Sequence, residues 1–468
     1  MSYDMLINGK LVTGSRTLDV IDPSTGNIFE TCACGSRSDI DDAVEAAAAA
    51  FPAWAATTVA ARQAILVKMA EAIEANLEDL SRTLTSEQGK PLADARAEVG
   101  GSAYFLRYWA SCDLPVEVIE DSAARRVELH RKPLGVVAAI VPWNFPLLTA
   151  VNKIGAALVT GNTVVAKPAP TTPLACLQFG ALIAGLVPAG VVNIVTDQND
   201  LGEALTTHRH VRKITFTGST ATGIKVMASG ASTLKRLTLE LGGNDSGIVL
   251  EDCDPEVVSQ KLFDSAFMNN GQVCVALKRL YVHDSQYDTI CAKLADIANS
   301  AVVGPGLQQG TQLGPVQNVA QYEKLKALIE ETRAVGTIIA GGDCPDAPGY
   351  FINPTIVRDI ADDARLVTEE QFGPVLPVMR YSDIDDVIAR ANDSDFGLGN
   401  SVWSSSDAKA GAVAARLDSG SVWINKHGDV GPDTPFAGAK MSGVGVEMSM
   451  HGLLEFTQAK VINFAKTA

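Results

Sequence analysis

A cysteine at position 274 follows the run NNGQV and precedes VALKRLYV. Asn-Asn-Gly stops a helix and VALKRLYV starts a strand, so Cys274 sits at a chain break. A thiol placed there faces a cleft and serves as a nucleophile once its pKa is lowered; the alternative is a buried, inert cysteine. This residue alone leaves both open. A second candidate is Glu240, in TLELGG. A carboxylate ending a central strand is costly to bury unless it is ion-paired or moves protons. Gly242 and Gly243 behind it permit close approach of backbone or ligand. Asn144 is held between two prolines in PWNFP; its amide either donates to a developing oxyanion or caps a turn. Lys167 ends VVAK and either snorkels or reaches a ribose or phosphate. The stretch TGSTATG, residues 217–223, opens a helix straight after a strand. Its N–H groups suit a phosphate, although neither G-x-G-x-x-G nor a P-loop occurs.

Such side chains need a scaffold that aims them. The middle of the chain alternates strand-like and helix-like runs: GVVAAIV, LLTAVNKIGAALVTG, NTVVAKP, LACLQFGALIAGLVP, GVVNIVT, DLGEALTTH, VRKITFTG, STATGIKVMASGA and LKRLTLELGG. That alternation predicts parallel crossovers, and strands that are apolar throughout predict helices on both faces. A second alternating set runs from NDSGIVLED to SVWINK. The expected class is therefore α/β, with two doubly wound α/β domains that take ligands at the carboxyl ends of their strands. PWNFP, Lys167, TGSTATG and Glu240 all fall at such ends. The segment VEVIEDSAARRVELHRKPLG alternates apolar and polar residues and predicts an exposed antiparallel piece. Residues 52–107 read as helical, and the tail LLEFTQAKVINF as a strand that pairs with another chain or domain.

Bulk properties narrow the function classes. A chain of 468 residues suffices for two or three domains, and 47% hydrophobic with 20% charged residues is ordinary for a soluble globular protein. A net charge of -16 repels phosphate backbones, so no nucleic-acid partner is expected. No apolar run approaches the roughly 18–20 residues of a membrane helix. The start MSYDMLINGK lacks the basic stretch and apolar run of a signal peptide, so a cytoplasmic location without disulfides is expected. The seven other cysteines are read as lying in apolar or helical patterns. Cys32 and Cys34 have the wrong spacing for a zinc knuckle, and no metal site is expected.

Seven motifs, PWNFP, VVAKP, FTGS, LELGGND, NNGQVC, EEQFGPV and PFAGAKMSG, occur in this order over several hundred residues. In them, and from INGKLV near the start to the final KVIN, the chain resembles the NAD(P)-dependent aldehyde dehydrogenase superfamily. The resemblance implies oxidation of an aldehyde to a carboxylic acid with NAD, NADP being left open. Cys274 would attack the carbonyl, giving a thiohemiacetal whose oxyanion is held by Asn144 and the Cys274 N–H. After hydride transfer, the thioester would be hydrolysed by water that Glu240 activates. Lys167 would contact the adenosine ribose, and Gly218 and Ser219 the pyrophosphate, with Thr220 and Gly223 in the helix that opens there. Glu370 would hold the nicotinamide ribose, with Phe372 and Trp143 lining the same pocket. Phe145, Thr149, Val273, Val275 and Phe436 would line the substrate tunnel, together with Asn152 and the loop NKHGDVGPDTPF. In that loop Lys426, His427, Asp429 and Asp433 either meet a polar tail or are solvated. The implied layout is a cofactor domain (1–110 and 133–242), a catalytic domain (243–430), a β extension for oligomerisation (111–132 and 453–468), and a loop and helix start (431–452) closing the substrate mouth. A homodimer or homotetramer would follow.

Three positions depart from the family pattern. Pro170 replaces a glutamate that grips the adenosine ribose, which leaves the NAD/NADP preference open. Asp197 replaces a glycine near the adenine side. PFGG becomes Phe436-Ala437-Gly438. Rival readings are a CoA-acylating member of the superfamily, which tends to lack the Glu240 base; a thiol hydrolase pairing Cys274 with a histidine; and a non-catalytic structural protein on the same scaffold. A small to medium aldehyde, aliphatic or aromatic, is the expected substrate.

Overall fold

The run GVVAAIV forms the strand Val136–Ile140, buried along its whole length as a parallel strand covered on both faces must be. The computed structural model describes residues 3–466. In it this strand lies inside an eight-stranded sheet ordered Lys10–Val12, Met5–Ile7, Val192–Ile194, Thr163–Lys167, Val136–Ile140, Val211–Thr217, Arg236–Glu240 and Gly443–Val444. The five strands from Val192–Ile194 to Arg236–Glu240 are parallel. The chain builds outward from Val136–Ile140 through two strands, then crosses back to its other side with Val211–Thr217. The carboxyl ends of these two neighbours form the switch point at which doubly wound sheets take ligands. PWNFP leaves one of them and TGST the other.

The second sheet has seven strands, ordered Thr337–Ala340, Thr355–Arg358, Val375–Tyr381, Leu277–His283, Asp245–Val249, Gly399–Trp403 and Ser421–Ile424. All neighbouring pairs but the first are parallel. The expected α/β class, two doubly wound sheets plus a small β element, is thus the observed one. That small element is a three-stranded antiparallel sheet in which Arg125–Pro133 lies between Glu117–Asp121 and Thr457–Ala465.

Two features were not expected. The segment before the first helix, Arg37–Ala55, carries four strands: Met5–Ile7 and Lys10–Val12 extend the first sheet, and Arg16–Asp22 pairs with Asn27–Cys34. Three-residue strands hold too little alternation to be told from a loop. The chain also returns to the first sheet near its end. Gly443–Val444 pairs antiparallel with Arg236–Glu240, and Leu453 and Phe456 join the core of the first sheet. Cys344 corrects the reading of the cysteines: it lies half-buried in the loop between Thr337–Ala340 and Thr355–Arg358, outside any helix or strand. Among the described residues no helix is long and apolar enough to cross a membrane.

Candidate active site

The helix Pro255–Phe267 runs into a single 3-10 turn, Met268–Gly271, just before Cys274. Asn269, Asn270 and Gly271 have φ of 49°, 57° and 73°. Asparagine and glycine are the residues that visit this left-handed region most readily. At Gly271 a Cβ would lie 2.3 Å from the Gly373 carbonyl oxygen, so only glycine fits. The reversal turns Cys274, which is half-buried, toward a cleft of about 1360 Å³ between the carboxyl ends of the two sheets. Asn144 enters from the first sheet and donates its Nδ2 to the Gln272 carbonyl at 3.0 Å. Its own carbonyl accepts from Lys90 at 2.9 Å and from Asn269 at 3.2 Å. The amide is pinned two residues before the thiol, with a second N–H left for a ligand.

Glu240 faces Cys274 from the end of Arg236–Glu240. Burial, and then the charge of Glu447, push the Glu240 carboxyl up to about 8. Its Oε1 has no hydrogen-bond partner among the described residues. Burial, and then the Glu240 carboxylate, hold the Cys274 thiol well above its ordinary value. Thiol and carboxyl cannot both ionise cheaply side by side, so they form one coupled titrating pair. Lys153, on the helix Pro146–Val159, ion-pairs with Glu447 and donates to Thr215 Oγ1 at 3.0 Å, and the Thr215 hydroxyl donates back to Glu447 at 3.3 Å.

The other arm of the cleft fits a dinucleotide. Ser219 caps the helix Thr220–Ala231 by accepting from Thr222 N, and Gly218 and Ser219 lie on the cleft wall. Thr220 and Gly223 do not: the Thr220 hydroxyl donates to the Met441 carbonyl, and a Cβ on Gly223 would lie 2.4 Å from Leu241. Both serve the packing of helix on strand. Lys167 lines the wall but is already ion-paired, with its Nζ 2.7 Å from Asp197 Oδ1 and both groups buried. Asp197 Oδ2 also accepts from Leu201 N at 3.0 Å. Glu370 accepts from Gly243 N at 3.0 Å, and a Cβ on Gly242 would lie 2.4 Å from its Oε2, so the glycine pair behind Glu240 makes room for this carboxylate. Trp143 and Phe372 stand edge to face, centroids 5.3 Å apart.

Phe145, Thr149, Asn152, Val273, Val275 and Phe436 line the opposite end of the same cleft. In the loop NKHGDVGPDTPF one residue, His427, departs from the expectation of a polar-tail contact or solvation. The His427 side chain is buried, 2.9 Å from Ser401 Oγ and 3.8 Å from Asp245, and burial pushes its imidazole down to about 3. Lys426 and Asp429 pair with each other at the surface, and Asp433 is exposed.

Sequence reasoning missed several supports. Lys90 and Glu98 form a fully buried ion pair at 2.6 Å. Glu98 also accepts from the first N–H groups of the helix after PWNFP, at 3.1 and 3.3 Å, and Lys90 lies 3.8 Å over the Phe145 ring. Lys153 hides in the apolar pattern of its helix, and Glu447 lies 294 positions away from it. For Lys90 the signal was there: a lysine between glycine and proline in EQGKP, an unusual place for a helix charge.

Two doubly wound sheets whose strand ends converge on a thiol, an amide and a carboxyl, beside a dinucleotide-sized cleft, define an oxidoreductase of the aldehyde type. The chain belongs to the aldehyde dehydrogenase family, whose sequence pattern matches residues 11–462, and its cofactor is NAD(P). It is 41% identical to phenylacetaldehyde dehydrogenase of Pseudomonas fluorescens over 485 residues, covering 99% of this chain and 96% of that protein. Among solved structures it is similar to the NAD+ complex of aldehyde dehydrogenase from Bacillus cereus, with a TM-score of 0.97 and 35% identity over 100% of this chain and 97% of the other. It is also similar to an NADP-dependent enzyme of E. coli, with a TM-score of 0.96 and 35% identity over 99% of this chain and 98% of the other.

Proposed function

We propose that the chain oxidises a neutral aldehyde to its carboxylic acid through a covalent intermediate on Cys274. The observation that carries this reading is the thiol of Cys274 facing Glu240 across the cleft, with the Asn144 amide beside it. The thiolate adds to the aldehyde carbon and forms a C–S bond; the carbonyl electron pair moves to oxygen, where the Asn144 amide and the Cys274 N–H stabilise it. NAD(P), when bound, accepts the hydride lost from that carbon. Glu240 then takes a proton from water, the hydroxide adds to the thioester carbon, and the C–S bond breaks to release acid and thiolate. Glu370, Phe372 and Trp143 orient the nicotinamide end, and Ser219 with its helix N-terminus receives the pyrophosphate.

The substrate end favours neutral aldehydes. Phe105, Phe145, Leu148, Val273, Val275 and Phe436 make its wall, and no lysine or arginine joins them there among the described residues. An arylacetaldehyde, the substrate class named for the P. fluorescens relative, fits such a wall. A carboxylate-bearing semialdehyde would bury an unpaired charge. In an aldehyde panel followed at 340 nm, kcat/KM for phenylacetaldehyde is expected to exceed that for a semialdehyde of similar length by at least about tenfold, the scale of one lost pairing. Equal values would refute the assigned wall.

The Lys167–Asp197 pair bears on the cofactor. Lys167 is charge-compensated by Asp197 from within the fold, so it offers little to a 2′-phosphate. Thermal-shift titration is expected to show tighter binding of NAD than of NADP, and Asp197→Gly to narrow the gap by strengthening NADP. A variant whose NADP affinity does not rise would sink this assignment.

We read the molecule as a cofactor unit (1–110 and 133–242), a catalytic unit (243–430), an extension (111–132 and 453–468) and a closing loop (431–452). The two large sheets and the three-stranded sheet support this division, although Gly443–Val444 and residues 453–456 pack with the first unit; positions 1, 2, 467 and 468 lie outside the described residues. Exposed Val118, Ile119, Val461 and Phe464 on the extension support self-association, as a homodimer or homotetramer. Eight unpaired cysteines support a cytoplasmic setting.

A further inference from the structure

Lys278 lies on the strand Leu277–His283, directly behind the nucleophile, with its side chain 2% exposed. A lysine is almost never buried without partners. Its Nζ donates to the Val273 carbonyl at 2.9 Å and the Cys274 carbonyl at 2.5 Å, and stands 3.5 Å from Glu370 Oε1. A Cβ on Gly243 would lie 2.6 Å from that same Cys274 oxygen, so the glycine lets the clamp close. The Val273 carbonyl belongs to the same planar peptide unit as the Cys274 N–H. Fixing one fixes the other, which points the opposite way within the same plane.

We propose that Lys278 is a positioning residue for the Cys274 nucleophile: its ammonium locks the two carbonyls that flank the thiol, aims the Cys274 N–H into the cleft, and favours the thiolate. The proposal rests on the reading of Cys274 as the nucleophile. The charged and titratable groups around the pair come from four elements. Glu240 faces the thiol from the end of its strand, Asp245 approaches from Asp245–Val249, and Glu370 reaches Lys278 from the loop before Val375–Tyr381. His427, neutral, sits beside Asp245. Two of the four, Glu240 and Asp245, are acids that oppose the thiolate. Lys278 is the cation that offsets them, and the thiol feels its charge in the direction that favours ionisation. Engagement of Glu370 by a ribose would leave more of the lysine's charge to the thiol, which links cofactor arrival to nucleophile strength.

The test separates the clamp from the charge. Lys278→Gln keeps an amide that hydrogen-bonds to the carbonyls but drops the charge; Lys278→Met drops both; Lys278→Arg keeps the charge. Iodoacetamide alkylation of the cofactor-free enzyme is followed against pH, and the labelled peptide is identified by mass spectrometry as the one carrying Cys274. The midpoint of the rate profile is expected to rise by about one pH unit in Lys278→Gln, a tenfold loss of thiolate below the midpoint. Lys278→Arg should bring it back toward wild type. Lys278→Met should add a fall in kcat of about 10²-fold or more at little changed KM, as removal of an oxyanion donor does. If Lys278→Met does not fold, the Gln and Arg profiles decide alone. A folded Lys278→Gln with the wild-type midpoint, or Gln and Arg shifted alike, overturns the proposal. Turnover surviving in Cys274→Ala would instead overturn the reading beneath it.

Discussion

Cys274→Ala is expected to form no measurable NADH or NADPH from any aldehyde, a loss of kcat on the order of 10⁴–10⁶-fold, as when a nucleophile is deleted elsewhere. The loss should be chemical and not structural. Cys274 is half-buried at the cleft wall, and its backbone carbonyl, which Lys278 holds beside Gly243, is unchanged in the variant. Circular dichroism and the thermal shift on adding NAD should therefore match wild type. Cys274→Ser should be nearly as inactive, because a hydroxyl beside Glu240 ionises far less readily than a thiol. Turnover near the wild-type rate in Cys274→Ala would refute the nucleophile and reopen the hydrolase and scaffold readings. The structure already weakens the hydrolase reading, since His427 points toward Ser401 and Asp245 and burial leaves its imidazole neutral and only weakly basic.

Glu240→Gln is the second large effect. The first turnover needs no base for water, so a burst of about one NADH per subunit should survive in stopped flow. The steady rate behind it should fall about 10²–10⁴-fold, the range of a positioned general base. Burst and steady rate falling together would place Glu240 before the thioester. In wild type the base form appears only as the carboxyl loses its proton near 8, so deacylation should accelerate as pH rises through that value. Stability moves the opposite way. The folded carboxyl keeps its proton up to about 8, whereas the unfolded one releases it near 4.5. Between those values the folded chain binds more protons, and stability falls as pH rises. Glu240→Gln removes that loss, so its Tm advantage over wild type should grow from about pH 5 to about pH 8. The same sign holds for Asp245 and Glu87, each also pushed up to about 8 by burial.

Local sequence carried most of the first layer of this architecture. The strands of both large sheets read as apolar runs because helices cover both their faces, and PWNFP, FTGS and LELGG stand out because each interrupts such a run with residues that have no packing reason to be there. NNGQVC was legible because three residues in succession accept a left-handed backbone. Pairings across the chain were not legible. Lys153 with Glu447, Lys90 with Glu98 and the Asn144 carbonyl, and Lys167 with Asp197 each join residues from different elements. Period-based reading sees only the apolar neighbours that surround them. Lys278 was hidden for the same reason: inside VALKRLYV it has the look of an alternating strand's outward residue, and the structure turns it inward onto the backbone of the nucleophile. Thr220 and Gly223 were named from the motif, and the structure shows them packed behind the turn. A motif gives the turn, but which of its side chains touch a ligand depends on what packs against the back of the helix, here Met441 and Leu241.

The late return of the chain to the first sheet has a consequence for biosynthesis. Gly443–Val444 closes an edge of that sheet, Glu447 compensates Lys153 inside it, and the Phe456 carbonyl accepts from Asn162 at 2.8 Å. A nascent chain that has emerged from the ribosome only as far as the second sheet therefore carries a cofactor half with an open edge and an uncompensated cation. That half cannot mature in order of synthesis, as amino-terminal units commonly do. It must wait, loosely formed, for the last few dozen residues to be translated.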